Sequence, residues 1–486
     1  MKASLRLTIS ALLALVLLSA AGCGCLNGTS TETVLPFLTT DGIDIVTESG
    51  EKVLLEGANF GGWLLWEGSA YGLPNYPEHQ FRCLLEERLP PKTVDTFFGL
   101  IRDSFITSDD FKRAGDAGLD YIRLPFHYRY VNEDRETVLD QAVDWAGENG
   151  IYVILDMHAA PGCQNSDYHS DSAGTAGLWN SPEDQEEFIH LWEVLAERYK
   201  DEPAVAGFEL LNEPEAEDGA MLTDLYARTI SAIREIDDRH IIFLDGNNYA
   251  ADFSVFEPPL GNNTVYVFHT YAGVVEAERQ SRQYLEFRDR HQVPVMCNEF
   301  GEYGLTRVFS RTELHPAWWS FKMVRAGPDV PYLHMPEENT WKVWLTEIAS
   351  ARRASEEETL AKALEVIDGA ALSPGLNDAL VTAFSSSEGF NKKEVMRIVR
   401  SYPEEGPELR NLNEEIQQLI ASAEADAVAQ ALLPLRPGEL EELISSLASD
   451  HWSTGALLSS APPKTPSFRW GIRAVSSERF GLTIHP

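Results

Sequence analysis

The sequence predicts a (β/α)8 barrel with a shortened seventh helix and a helical C-terminal extension. Three observations predict it. Between residues 54 and 322, eight short apolar runs alternate with amphipathic stretches of helical period. That alternation fits a closed parallel barrel better than an open doubly wound sheet. Two of the runs lead into the same polar pair, Asn212-Glu213 and Asn298-Glu299, as parallel strands do where their C-terminal ends face one mouth. Beyond residue 350 the chain turns rich in Ala, Glu and Leu at helical spacing.

The elements follow in order. Lys2 and Arg6 precede an apolar run over 9–18, then small residues and Cys23. That run is too short to span a bilayer, so residues 1–22 read as an export signal. Ala21-Gly22-Cys23 resembles the processing site of prokaryotic lipoproteins, which makes Cys23 a lipidation candidate. Residues 23–41, rich in Ser, Thr and Gly, read as a tether, and 42–56 as a β-hairpin. Strands are expected at 54–59, 120–125, 151–157, 204–211, 241–245, 264–269, 293–298 and 317–322. Helices are expected at 108–117, 134–149, 181–199, 221–237 and 275–291. The interval 304–316 has room for only a short seventh helix. Segments 64–107, 159–180 and 323–340 read as loops at the barrel mouth. The domain boundaries expected are 42–350 for the barrel, 351–460 for the helical extension and 461–486 for a C-terminal tail.

The net charge of −37 over 486 residues argues against nucleic acid and anionic membrane surfaces as partners. No Gly-rich phosphate loop follows any expected strand. The five cysteines show neither a disulfide framework nor zinc spacing, and Cys297 reads as a small buried apolar residue.

Polar residues at the strand ends carry the chemistry. Arg123 stands inside an apolar strand, where an unpaired guanidinium is costly, so it should face a carboxylate. Asp156-Met157-His158 ends the third strand, His269-Thr270-Tyr271 the sixth, and Trp318-Trp319 fills the eighth. With Glu213 and Glu299 they form a ring around one mouth. Two carboxylates aimed at one pocket are the minimum equipment for acid/base cleavage of a glycosidic bond.

The chain here resembles glycoside hydrolase family 5, over about residues 42–350. The resemblance rests on Gly57-Ala58-Asn59-Phe60-Gly61-Gly62-Trp63, Ile122-Arg123-Leu124-Pro125, Asp156-Met157-His158-Ala159-Ala160-Pro161-Gly162, Leu211-Asn212-Glu213-Pro214, His269-Thr270-Tyr271 and Asn298-Glu299-Phe300-Gly301. It implies a retaining β-glycosidase of cellulase or glucanase type, hydrolysing a β-glucan-type polysaccharide or oligosaccharide by double displacement. Glu213 would be the general acid/base and Glu299 the nucleophile. Asn212 would hold the sugar 2-hydroxyl, Arg123 would keep Glu299 ionised and Tyr271 would hydrogen-bond it. His158 and His269 would line the subsite of the cleaved sugar, with Trp319 as its aromatic floor. Gly61-Gly62-Trp63 and 160–165 look most like the exo-β-1,3-glucanase branch, where Glu67 loosely matches a pocket glutamate. No cofactor or metal is expected, and the site of action would be extracellular, secreted or lipid-anchored at the cell surface.

Two physical expectations accompany these roles. Arg123 should lower the pKa of Glu299, and the charge of Glu299 should raise that of Glu213. Loss of Arg123 should cost activity more than folding. Pro316, where a Trp is common, and the short seventh helix depart from the family pattern, and the resemblance does not reach residues 351–486. One rival is a metal-dependent hydrolase using Asp156, His158 and His269, but no His-x-His or His-Glu-x-x-His pair is present. A second is a non-catalytic carbohydrate-binding lipoprotein on the same barrel.

Overall fold

Strands that helices cover on the outside and side chains fill on the inside are buried on both faces, and these are. Every residue is buried in Tyr121–His127 (β4), Tyr152–Ala159 (β5), Val205–Glu209 (β6), Ile241–Asp245 (β7), Thr264–Thr270 (β8) and Val295–Phe300 (β9). With Gly57–Asn59 (β3) and Ala317–Trp318 (β10) they close into a parallel barrel in the order β10-β3-β4-β5-β6-β7-β8-β9. A hairpin of Leu38–Asp41 (β1) and Asp44–Thr47 (β2) precedes it. The structure, a computed structural model, describes residues 35–454 apart from 134–135, 303, 325–332, 371–374, 377, 379, 381–405 and 449–450. The expected signal, Cys23, most of the tether and the tail 461–486 lie outside the described residues.

Capping chemistry starts several of the helices. The helices run Glu78–Glu86 (α1), Pro91–Phe105 (α2), Ser108–Ala117 (α3), Val138–Glu148 (α4), Pro182–Tyr199 (α5), Gly219–Arg234 (α6), Val274–His291 (α7), Leu305–Arg311 (α8), Thr340–Gly369 (α9), Gly406–Leu432 (α10) and Pro437–Ser445 (α11). Thr107 with Asp110, and Thr137 with Asp140, form capping boxes for α3 and α4. Pro182 opens α5 behind a Ser181 cap. The seventh helix is indeed short: α8 has 7 residues. It still buries Leu305 and Phe309, and Phe309 meets Phe300 and Phe268 edge-on.

Four features differ from the sequence expectation. Residues 38–41, read as tether, form β1, because Leu38 is buried and Thr40 N–H bonds Asn263 at 3.0 Å. The segment 64–107, read as a loop, carries α1 and α2, whose Phe81, Val94, Phe97 and Ile101 are buried. The eighth strand stops at Trp318; Lys322–Met323 (β11) instead pairs with Leu333–His334 (β12), and that with Ser453–Thr454 (β13).

The fourth difference is the boundary at 350, which falls inside α9. The extension shares the barrel's apolar core. Asn339 Nδ2 donates to Ser446 O at 2.9 Å, the Trp341 backbone N–H to Ser446 Oγ at 3.2 Å, and the Trp344 indole N–H to Ala431 O. Nζ of Lys322 lies over the ring of Trp452 at 4.8 Å. Ending the chain at residue 350 strips partners from these residues, and each large apolar side chain exposed costs about 1.5–3 kcal/mol. The expected result is a shortened chain without a cooperative unfolding transition by calorimetry. A melting temperature equal to the full chain's contradicts this.

Candidate active site

The barrel mouth is built around Arg123, whose side chain is wholly buried in β4. Its Nε and Nη2 donate to Glu209, at 3.0 and 2.7 Å from Oε1, and Nη2 also lies 3.0 Å from Asp156 Oδ2. Nη1 donates to Glu299 Oε2 at 2.7 Å and to Asn59 Oδ1 at 3.0 Å. The expected carboxylate is therefore present, together with two that sequence reasoning did not assign. Burial works against the guanidinium charge, but Asp156, Glu209 and Glu299 outweigh it and raise its pKa. Burial likewise pushes Asp156 up to about 7 against the pull of Arg123.

Glu299 ends β9 with both oxygens engaged. Oε2 accepts from Arg123, and Oε1 accepts from the Tyr271 hydroxyl at 2.6 Å. Gly301 makes room for that tyrosine, since a Cβ there would lie 2.7 Å from its ring. Asn298 donates to Glu209 Oε2 at 2.6 Å and ties the two ends of the network together.

Glu213 follows β6 in a left-handed conformation with φ of 47°. For a residue with a Cβ that costs about 1–2 kcal/mol, so the surroundings must fix it. Its N–H donates to Asp245 Oδ2 at 2.8 Å, and its carbonyl accepts from Asn165 Nδ2 at 3.0 Å. Gln164 staples the neighbouring strand ends by donating to His158 O and Asn212 O. The strained backbone turns the carboxyl inward, where one of its oxygens lies within 4.8 Å of one of Glu299's.

The charge state of Glu213 differs from the sequence expectation. Burial favours its neutral form, but the hydrogen bond from His269 and the charge on that ring hold it at about 2. His269 Nδ1 lies 2.9 Å from Glu213 Oε1, and Nε2 lies 3.1 Å from Asn298 Oδ1. Burial opposes its charge, yet Asp245, Glu299 and Glu213 lift it to about 10. In the free site the proton expected on Glu213 therefore rests on His269. The imidazole is in direct contact with Glu213 and outweighs the influence of Glu299.

These groups open into a cleft of about 490 Å³. Glu67, His158, Glu213, His269, Tyr271, Glu299 and Trp319 line it; Arg123 and Asn212 sit behind the lining. Trp319 lies parallel to His158 with ring centres 5.5 Å apart, and His158 is held by Asp156 at 2.7 Å. Gly61 permits that placement, because a Cβ would come within 2.6 Å of the indole. Burial, then the charges of Glu299 and Glu213, push Glu67 up to about 8, so it is a hydroxyl donor at neutral pH. Asn212 Oδ1 accepts from Arg123 Nη2 at 2.8 Å. Sequence reasoning missed Ser69, Asp167, Tyr168, His169 and Tyr249 in the lining, and Glu209 and Asp245 behind it. The one available signal was the length of the loop 159–180, which supplies three of them.

Comparison with known proteins places these features in context. The model of the cellulase family, glycosyl hydrolase family 5, matches residues 90–326. The chain is similar to a β-xylosidase of Phanerodontia chrysosporium, 33% identical over 340 residues, covering 64% of this chain and 71% of that one. Endoglucanase C of Acetivibrio thermocellus is 26% identical over 276 residues, covering 44% and 79%. A probable glucan 1,3-beta-glucosidase A of Emericella nidulans is 29% identical over 286 residues, covering 51% and 67%.

Proposed function

The chain belongs to glycosyl hydrolase family 5 and is a hydrolase of O-glycosyl bonds, and from that premise we propose a retaining β-glycosidase acting on β-glucan-type chains. The observation that carries the reading is the approach of Glu213 and Glu299, with one oxygen of each within 4.8 Å of the other. Retaining enzymes hold the two carboxyl groups about 5–5.5 Å apart, whereas inverting ones leave about 6.5–9.5 Å for a water. The names of the similar endoglucanase, glucosidase and xylosidase support a β-linked substrate.

In this mechanism a Glu299 oxygen attacks the anomeric carbon as the glycosidic C–O bond breaks, and Glu213 protonates the departing oxygen. The proton comes from His269, one hydrogen bond away. Substrate closing the cleft removes water from Glu213 and favours its neutral form. In the second step water attacks the glycosyl ester, Glu213 takes its proton, and Glu299 leaves as carboxylate. Arg123 and Tyr271 hold Glu299 for attack, and Trp319 offers a face to the sugar ring.

The metal-dependent alternative fits less well. Among the described residues two sets of donors approach closely, Glu213, His269 and Glu299, and Glu209, Asp245 and His269; neither is the set Asp156, His158 and His269, and both are already engaged with Arg123, Tyr271, Asn298, a backbone N–H or one another. Export, and anchoring through Cys23, are proposed from the leader sequence alone, and cell fractionation of Cys23→Ser tests them.

Glu213→Ala separates acid catalysis from the rest. It is expected to slow unactivated glycosides by about 10²–10⁴-fold while sparing aryl glycosides whose leaving groups need no proton. Equal loss on both substrate types overturns the assignment.

A further inference from the structure

His169, in the loop after β5, belongs to no motif, yet it faces the second oxygen of Glu213. Its Nε2 lies 3.6 Å from Glu213 Oε2, and its Nδ1 lies 3.4 Å from Asn212 Nδ2. The ring's proton can be assigned from Asn212. Arg123 Nη2 can only donate, and it donates to Asn212 Oδ1 at 2.8 Å. The other amide atom of Asn212 is therefore its NH₂, which donates to His169 Nδ1. The His169 ring proton then sits on Nε2 and points at Glu213. A directed chain runs from Arg123 through Asn212 and His169 to Glu213, linking the group that holds Glu299 to Glu213 itself.

Other titratable groups share this corner. Asp167 Oδ2 is 4.0 Å from His169 Nε2, and the rings of Tyr168 and His158 lie 5.5 and 5.7 Å away. His269 occupies Glu213 Oε1, Glu299 faces it across the cleft, and Asp245 holds its backbone N–H. His169 is the group directed at Oε2. At 3.6 Å the contact is not yet a hydrogen bond, as with many catalytic contacts in free enzymes that tighten on substrate binding.

We propose that His169 is a positioning residue for Glu213, turning the carboxyl and setting, in the substrate complex, the pH above which its acid form is lost. An N–H directed at Oε2 favours the carboxylate, so it moves that pH downward. The inference rests on the acid/base reading of Glu213.

The test measures kcat against pH, which reports the substrate complex in which Glu213 holds the proton, on an unactivated substrate for H169N, H169Q and Glu213→Ala. In H169N the shorter amide cannot reach Oε2, and the alkaline limb is expected to move up by roughly half a unit to one unit. In H169Q an amide N–H can occupy the place of Nε2–H, and the limb is expected to return to the wild-type position. A limb unmoved in H169N overturns the inference, as does a loss of kcat at every pH without a shift. If H169N does not fold, H169Q decides alone, and a displaced limb there overturns the inference. If Glu213→Ala still hydrolyses unactivated substrates at the wild-type rate, the acid/base reading itself has failed, whatever His169 does.

Discussion

Glu299→Gln is expected to lower kcat by on the order of 10⁴-fold or more while the barrel stays folded. The amide keeps the shape and much of the hydrogen bonding: its oxygen can accept from Arg123 and its nitrogen can donate to the Tyr271 oxygen. What it lacks is a nucleophilic oxygen that can form the glycosyl ester. Arg123 retains Asp156 and Glu209 as counter-charges, so the stability loss should stay near the about 1–2 kcal/mol of one altered buried hydrogen bond. Steady-state kinetics and a thermal melt on one preparation check both halves. A rate within about a hundredfold of wild type contradicts the nucleophile role.

Arg123→Met is expected to damage folding as well as activity. The sequence, which shows one buried cation, leads to a loss of activity larger than the loss of stability. The structure shows why stability falls as well: three buried carboxylates share this guanidinium, and its removal strands all of them. Breaking a buried pair costs about 3–5 kcal/mol, and here the partners exceed one. The deficit should depend on pH. Asp156 is raised to about 7 in the fold against an ordinary 3.8, and loss of Arg123 raises it further. A carboxyl raised in the folded state binds its proton more tightly there than in the unfolded chain, so acid favours the fold. The gap between variant and wild type, read by urea unfolding, should therefore narrow as pH falls from alkaline values to about 7, where Asp156 is protonated in the variant before it is in wild type, and level off below that. A variant as stable as wild type at pH 8 contradicts the account.

The barrel was legible because its strands are buried on both faces and its helices are amphipathic. The expected strand 241–245 and helix 108–117 coincide with β7 and α3. The strand-end motifs were legible for the same reason, since a polar residue closing an apolar run stands at the mouth. Glu209 was not, because it belongs to the interior of such a run. One Arg in a strand calls for one carboxylate; that it takes Asp156 and Glu209 besides Glu299 depends on the barrel's register, with Asp156 opposite Glu209. The proton's place on His269 depends on a 2.9 Å contact that no spacing in the chain encodes. The helices α1 and α2 were hidden in a segment whose Pro90-Pro91 reads as a loop, although Pro91 starts α2. Their apolar faces make sense only with α10 and α11 packed on them.

Double displacement by Glu213 and Glu299 leaves a signature in the product. The deciding measurement is the configuration of the first product, followed by proton NMR from the moment the enzyme meets a β-linked glucan it cleaves. A retaining enzyme releases the β-anomer of the new reducing end first, and the α-anomer appears only later, by mutarotation. The α-anomer appearing first would mean a single inverting step and would contradict double displacement.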